Sequence, residues 1–107
     1  HSPFAMIMLD IKTKALFTSD LFGGISKAWS LFAGDGFIEA MEAWHRMVMP
    51  SGEILKRCMN GLEKLEIKYI LPQHGSIIEG DDIKKAIDCL KSLKCGVDVI
   101  EGIKLYE

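Results

Sequence analysis

Three residues that can bind a metal ion are predicted to lie where strands meet loops: His1, Asp20 and His74. Imidazole nitrogen and carboxylate oxygen suit zinc, iron and manganese. A carboxylate can also bridge two metal ions that lie about 3.5–4 Å apart. The chain contains no short H-x-x-x-H motif. The spacing alone therefore leaves open both a metal site and ordinary structural roles.

These and the other notable polar or aromatic residues also have ordinary interpretations. A first-position histidine is often a tag remnant, an aspartate after a strand often caps or turns the chain, and a loop histidine is usually solvated. His45 lies between Trp44 and Arg46 on the flank of a predicted helix, so we expect it at the surface or in an interface. Trp29 and Phe32 either line a pocket or anchor a long loop, and we expect the anchor.

Several other site classes find no support in the residue pattern. The chain has no recognisable Ser-His-Asp catalytic-triad pattern, no phosphate-binding loop and no G-x-G-x-x-G motif. Asp81 and Asp82 are interpreted as helix-start charges that complement the helix dipole. Cys58, Cys89 and Cys95 form neither a C-x-x-C pair nor an even disulfide set. We therefore expect reduced, non-catalytic cysteines and a cytoplasmic location.

Length and composition predict that residues 1–107 form one globular domain or a piece of one. The chain is 49% hydrophobic and 26% charged, and its net charge of −2 favours neither nucleic acid nor an anionic membrane as a partner. Its longest apolar run is far shorter than the roughly 20 residues of a membrane span. No basic segment and cleavage site of the secretory type opens the chain.

Hydrophobic periodicity predicts the element order β-β-loop-α-α-β-α. The predicted strands are 4–10, 15–20 and 67–71. A hairpin turn joins the first two, and a long loop leads from the second to the first helix. The first helix begins at Phe37 and ends before Pro50, Ser51 caps the second, and the third begins at Asp81 or Asp82 with Gly96 as its C′ residue. The segment 97–107 is ambiguous between a strand and a helical turn.

Three- and four-residue spacing marks one apolar stripe on each predicted helix. The three stripes consist of Phe37, Ile38, Met41, Trp44, Met47 and Val48; Ile54, Leu55, Cys58, Met59, Leu62 and Leu65; and Ile83, Ala86, Ile87, Leu90 and Leu93.

The predicted fold class is α/β (α+β), with one mainly antiparallel sheet that carries helices on one face. Strand 4–10 is apolar at nearly every position, as is typical of a strand that is covered on both sides. Three helices cover only one face of such a sheet. The second, apolar face predicts association with further structure or with a second copy of the chain.

Three sequence blocks together resemble the C-terminal half of the metallo-β-lactamase fold. They are "HSP" at residue 1, "LFTSDLFGG" from residue 16 and "MPSGEILKRCMNGLEKLEIKYILPQHGSII" from residue 49. More narrowly, they are similar to the flavodiiron and oxygen-binding di-iron branch of that superfamily. The resemblance implies half of an αβ/βα sandwich, in which this chain supplies one sheet and its helices.

The resemblance also implies three ligands of a dinuclear metal site. His1 matches the histidine of an "H-S-P-G" block, although Phe4 replaces the usual glycine. Asp20 matches the aspartate that bridges the two metals, and His74 matches the last histidine. The family's other three ligands belong to an "H-x-E-x-D-H" or "H-x-H-x-D-H" motif upstream of His1, which these 107 residues do not contain. We expect the site to be incomplete in this chain.

For the parent protein, the resemblance implies binding or reduction of O2 or NO at two iron ions. A reductase of this kind receives electrons from FMN in a separate domain, whereas a sensor binds O2 without that domain. Two alternatives stay open: a hydrolase that uses two zinc ions on the same scaffold, and an inert structural fragment. The expected partner is the missing N-terminal half of the domain or a second copy of this chain.

Overall fold

Four short strands form one mixed sheet in the order β1-β2-β3-β4. The computed structural model describes residues 6–26 and 30–97. The strands are β1 (Met8–Asp10), β2 (Ala15–Phe17), β3 (Tyr69–Leu71) and β4 (Ile78–Glu79). The pairs β1–β2 and β3–β4 are antiparallel, whereas β2 and β3 are parallel. The predictions for His1, Phe4, Trp29 and the segment from residue 98 onward lie outside the described residues.

Three helices accompany this sheet: α1 (Phe37–Val48), α2 (Gly52–Leu62) and α3 (Asp81–Ser92). The predicted cap is confirmed, because the Ser51 hydroxyl accepts a hydrogen bond from the Ile54 amide. Pro50 separates α1 from α2, as predicted. Helix α3 packs against α2, α1 and β4, and this places its apolar stripe in the core.

The alternation of side chains along the strands divides the sheet into two unlike faces. Leu16, Ile70 and Ile78 lie on one face and are buried with the apolar stripes of the helices. On the other face, Met8 lies opposite Phe17, and both side chains are exposed. The predicted open apolar face is therefore confirmed for the described part of the chain.

Some local predictions are wrong. Helix α3 ends at Ser92, so Gly96 is not its C′ residue; Gly96 instead forms an isolated bridge with Ser51. Met47 and Ile54, which the predicted apolar stripes included, are exposed, so the buried face of each helix is narrower than predicted. Leu65 is exposed and lies beyond the end of α2 at Leu62. Strand β4 was not predicted, since its two residues are too few to show alternation.

Each predicted strand is also shorter in the structure, at three residues. In the described ranges, no helix has the length and apolar character that crossing a membrane requires.

We predict that Gly96→Ala destabilises the fold. Gly96 has a φ of +58°, and an added Cβ atom would overlap the carbonyl of Pro50. The substitution should lower the free energy of unfolding by at least about 2 kcal/mol, as measured by denaturant titration.

The matched control is Gly61→Ala in α2, where an added Cβ atom meets nothing within 4 Å. It should raise the free energy of unfolding by about 0.5–1 kcal/mol, because alanine favours the helix. Equal effects of the two substitutions would contradict the close packing of Gly96 against Pro50.

Candidate metal centre

The parallel pairing of β2 and β3 brings Asp20 and His74 together. Phe17 lies opposite Leu71 in the register, and Asp20 and His74 each follow three residues later. Because parallel strands end at the same edge of a sheet, both loops leave at one place. The Asp20 Oδ1 and His74 Nε2 atoms are 3.9 Å apart. Two of the three predicted ligands are thus neighbours, and His1 lies outside the described residues.

Hydrogen bonds between the two loops hold this arrangement. The Gln73 amide donates to the Ser19 carbonyl at 2.7 Å, and the Gly24 amide donates to the His74 carbonyl at 3.0 Å. The Thr18 amide continues the strand pairing by donating to the Leu71 carbonyl at 3.3 Å. Main-chain atoms on both sides of Asp20 are therefore tied to the His74 loop.

A tight turn over residues 18–24 aims the Asp20 side chain. The Thr18 hydroxyl donates to the Leu21 carbonyl at 2.6 Å, and the Leu21 amide donates back to the Thr18 carbonyl at 3.0 Å. Ser19 and Phe22 have φ angles of +53° and +66°, which side chains other than glycine rarely adopt. Such backbone conformations persist only where surrounding contacts impose them.

Gly23 allows the closest approach between the loops. A Cβ atom there would lie 2.8 Å from the His74 carbonyl oxygen and 3.0 Å from the Asp20 carbonyl oxygen. The first contact is shorter than real Cβ atoms show, and the second is tighter than most real Cβ contacts. Both are with backbone atoms that cannot rotate away. The small residue is therefore required for the spacing of the two candidate ligands.

Trp44, in the third turn of α1, contacts both candidate ligands. Its indole Nε1–H donates a hydrogen bond of 2.8 Å to the Asp20 carbonyl. Its ring lies against the His74 imidazole, with the centroids 5.6 Å apart and the planes tilted by 58°. The sequence pattern assigned Trp44 only to the apolar stripe, because a hydrogen bond to a distant loop leaves no periodic signal.

The prediction that His45 lies at the surface or in an interface is wrong. Its side chain is buried, and its Nε2 atom accepts a hydrogen bond of 3.0 Å from the Phe22 amide. Its Nδ1 atom lies 2.6 Å from the Met41 carbonyl, so the ring is neutral and carries its proton on Nδ1. The sequence signal for burial of His45 was its four-residue spacing from Met41, which places both residues on one helix face.

Burial differs between the two candidate ligands. The side chain of Asp20 is 16% exposed, whereas that of His74 is 51% exposed. A metal ion with bonds of about 2.1 Å can contact two atoms up to about 4.2 Å apart, and the observed 3.9 Å lies within that limit. The oxygen and nitrogen donors also suit iron or zinc. Among the described residues, no group of three or more potential ligands converges.

The three cysteines are free thiols that differ in burial. Cys95 is buried, and Cys58 and Cys89 are half-buried. Burial raises the pKa of the Cys58 thiol. Burial, together with the charge of Glu42, raises the pKa of Cys89 to about 11, so this thiol stays protonated at neutral pH.

The arrangement defines a class of protein. A mixed sheet with helices on one face, and an aspartate and a histidine in the loops after two parallel strands, matches part of the metallo-β-lactamase fold. The sequence profile of the ODP family beta lactamase matches residues 1–75, and the chain belongs to this family. The predicted resemblance is thereby confirmed.

Two solved structures of the same sensor are similar to nearly the whole chain. One is the apo state of the chemotaxis sensor ODP from T. denticola, with a TM-score of 0.86 and 28% identity. The other is a peroxy diiron species of the chemotaxis sensor ODP, with a TM-score of 0.85 and 28% identity. Each comparison covers 94% of this chain but 43% of the sensor, so the chain spans less than half of that protein's length.

More distant structures share the fold. Rubredoxin oxygen:oxidoreductase from Desulfovibrio gigas is 22% identical, with a TM-score of 0.72 over 85% of this chain and 25% of that one. The flavodiiron protein from Giardia intestinalis is 23% identical, with a TM-score of 0.76 over 84% and 23%. No curated protein sequence matches the chain.

We predict that the buried His45 makes stability depend on pH. Burial lowers its pKa below the ordinary value of 6.5, so the unfolded chain binds this proton more readily than the folded chain. The contribution is fully present above pH 6.5 and decreases as the pH falls below it. Denaturant titrations over that range should show the free energy of unfolding falling with pH in the wild type.

His45→Gln supplies the comparison, because the amide oxygen can still accept the Phe22 hydrogen bond without titrating. The variant should lose less stability than the wild type as the pH falls, with the plateau above pH 6.5 as the internal reference. Equal losses in the two proteins would contradict a buried neutral His45.

Proposed function

We propose that this chain supplies Asp20, His74 and His1 to a non-haem di-iron site, in a parent protein that binds or reduces O2 or NO. The 3.9 Å separation of Asp20 and His74, at the edge where two parallel strands end, is the observation that carries the proposal. Membership of the ODP family and the similarity to a sensor described as a diiron species support iron as the metal.

The roles of the chain's own residues follow from their donor atoms. The Asp20 carboxylate is proposed to bridge the two ions, because its two oxygens can serve one ion each. The His74 imidazole is proposed to donate Nε2, the atom that faces Asp20. When bound, a pair of iron ions would supply the redox chemistry for binding or reducing O2 and NO. The protein side chains hold the ions and fix their orientation.

Oxygen sensing is favoured over reduction. The 28%-identical structures are of a chemotaxis sensor, ODP, which shares its name with the matched family. The oxidoreductase is 22% identical and carries only a fold argument. FMN in a separate domain is part of the proposal only if the parent proves to be a reductase. We also propose a cytoplasmic location, on the strength of the three free cysteines.

The remaining ligands are proposed to come from outside these 107 residues. Related sites use six protein ligands, of which His1, Asp20 and His74 supply three at most. The open sheet face around Met8 and Phe17 is the surface on which the missing half, or a second copy of the chain, is proposed to pack. The chain by itself is proposed to bind iron weakly and to lack the parent's activity.

The test is the metal content and O2 binding of the full-length parent protein, which includes the proposed missing half. Asp20→Asn and His74→Ala should each weaken iron binding by at least about tenfold, because loss of a ligand costs no less than loss of a residue that only orients one. Metal analysis under anaerobic conditions, followed by spectra with O2 and NO, measures the effect.

Two controls match these substitutions. Gln73→Ala changes the exposed neighbour of His74, and Asp88→Asn removes an exposed carboxylate that pairs with Lys84 on α3. Both should keep the iron content of the wild type. Stoichiometric zinc in place of iron would favour the hydrolase alternative, and unchanged iron in His74→Ala would contradict the assignment of that ligand.

A further inference from the structure

Trp44 is the side chain of α1 that contacts the main chain of one candidate ligand and the side chain of the other. Its indole N–H donates to the Asp20 carbonyl at 2.8 Å, and its ring contacts the His74 imidazole at a centroid distance of 5.6 Å. The two contacts use different parts of the same indole. One side chain therefore constrains both the turn that aims Asp20 and the orientation of the His74 ring.

The helix that carries Trp44 is itself anchored. Met41 of α1 is buried in the core. His45, the residue after Trp44, accepts a hydrogen bond from the Phe22 amide. Consecutive residues of α1 thus bind the turn over residues 18–24 at two points, Asp20 and Phe22. The indole cannot shift along the loop without breaking the bond made by His45.

His74 has the greater need for such support. Its side chain is half exposed, so the loop leaves the imidazole room to rotate. Ordering a free side chain at the moment of metal binding costs conformational entropy. A ring already held against Trp44 avoids part of that cost, and ligand orientation by neighbouring groups is a general determinant of metal affinity.

We propose that Trp44 is a positioning residue that holds Asp20 and His74 in the geometry required to share a metal centre. This proposal rests on the proposed function, since it presumes that both residues are ligands. The indole N–H sets the position of the Asp20 main chain, and the indole ring sets the orientation of the His74 imidazole. Trp44 itself donates no atom to the metal.

Two substitutions in the full-length parent protein separate the contribution of the indole N–H from that of the indole ring. Trp44→Phe keeps a ring beside His74 but removes the hydrogen bond to Asp20, and Trp44→Leu removes both. Iron affinity, measured by competition with a chelator, should fall by about tenfold in Trp44→Phe and by more in Trp44→Leu. Phe37→Leu, which removes a half-buried ring from the first turn of the same helix, is the control.

If Trp44 had a purely structural role, iron affinity and thermal stability would change together. In that case, the loss of iron affinity would follow the loss of thermal stability equally in Phe37→Leu and in the Trp44 variants, and this outcome would overturn the proposal. Wild-type affinity in both Trp44 variants would overturn it as well. A loss of affinity confined to the Trp44 variants, at matched stability, would support it.

A metal-free measurement distinguishes failure of this proposal from failure of the proposed function. NMR relaxation of the His74 Cε1–H group should show a more mobile imidazole in Trp44→Leu than in the wild type or in Phe37→Leu. Unchanged mobility overturns the positioning role whatever the metal result. Increased mobility, combined with full iron binding in Asp20→Asn and His74→Ala, retains the Trp44 contact but rejects the metal site, and with it the positioning role.

Discussion

The candidate site depends on the register of one parallel strand pair. Phe17 lies opposite Leu71, so any residues at equal distances beyond these two leave the sheet at the same edge. Asp20 and His74 satisfy that condition, although more than fifty residues separate them in the sequence. A slip of one residue in this register would turn every side chain of one strand to the opposite face and would separate the two loops.

The register is enforced by burial and then extended by main-chain hydrogen bonds. Leu16 and Ile70 are paired and almost completely buried, so the core fixes which face each strand presents. Beyond the strands, the bonds from Thr18 to Leu71 and from Gln73 to Ser19 continue the contact into the loops. The positive φ angles at Ser19 and Phe22 are supported by this network and by the hydrogen bond to His45. Packing in the core therefore determines geometry at the surface.

Much of the fold could be predicted because it has a local periodic signal. The helices follow from the spacing of apolar residues, and Ser51 and Pro50 mark a boundary by their own conformational preferences. His45 was misplaced because its partner, the Phe22 amide, belongs to a turn that no local pattern reveals. Asp20 and His74 were candidates from residue type and position, but only the resemblance to known proteins assigned them to one site, since their proximity arises from a pairing between distant segments.

The structure also presents two distinct surfaces: the edge that carries Asp20 and His74, and the open apolar face with Met8 and Phe17. Both are expected if the chain is one half of a sandwich whose site lies between the halves. The most direct test is a crystal structure of the iron-loaded, full-length parent protein, with anomalous diffraction recorded at the iron edge. The account predicts iron bound by the Asp20 carboxylate and the His74 imidazole. Iron bound elsewhere, with these two side chains uncoordinated, would contradict it.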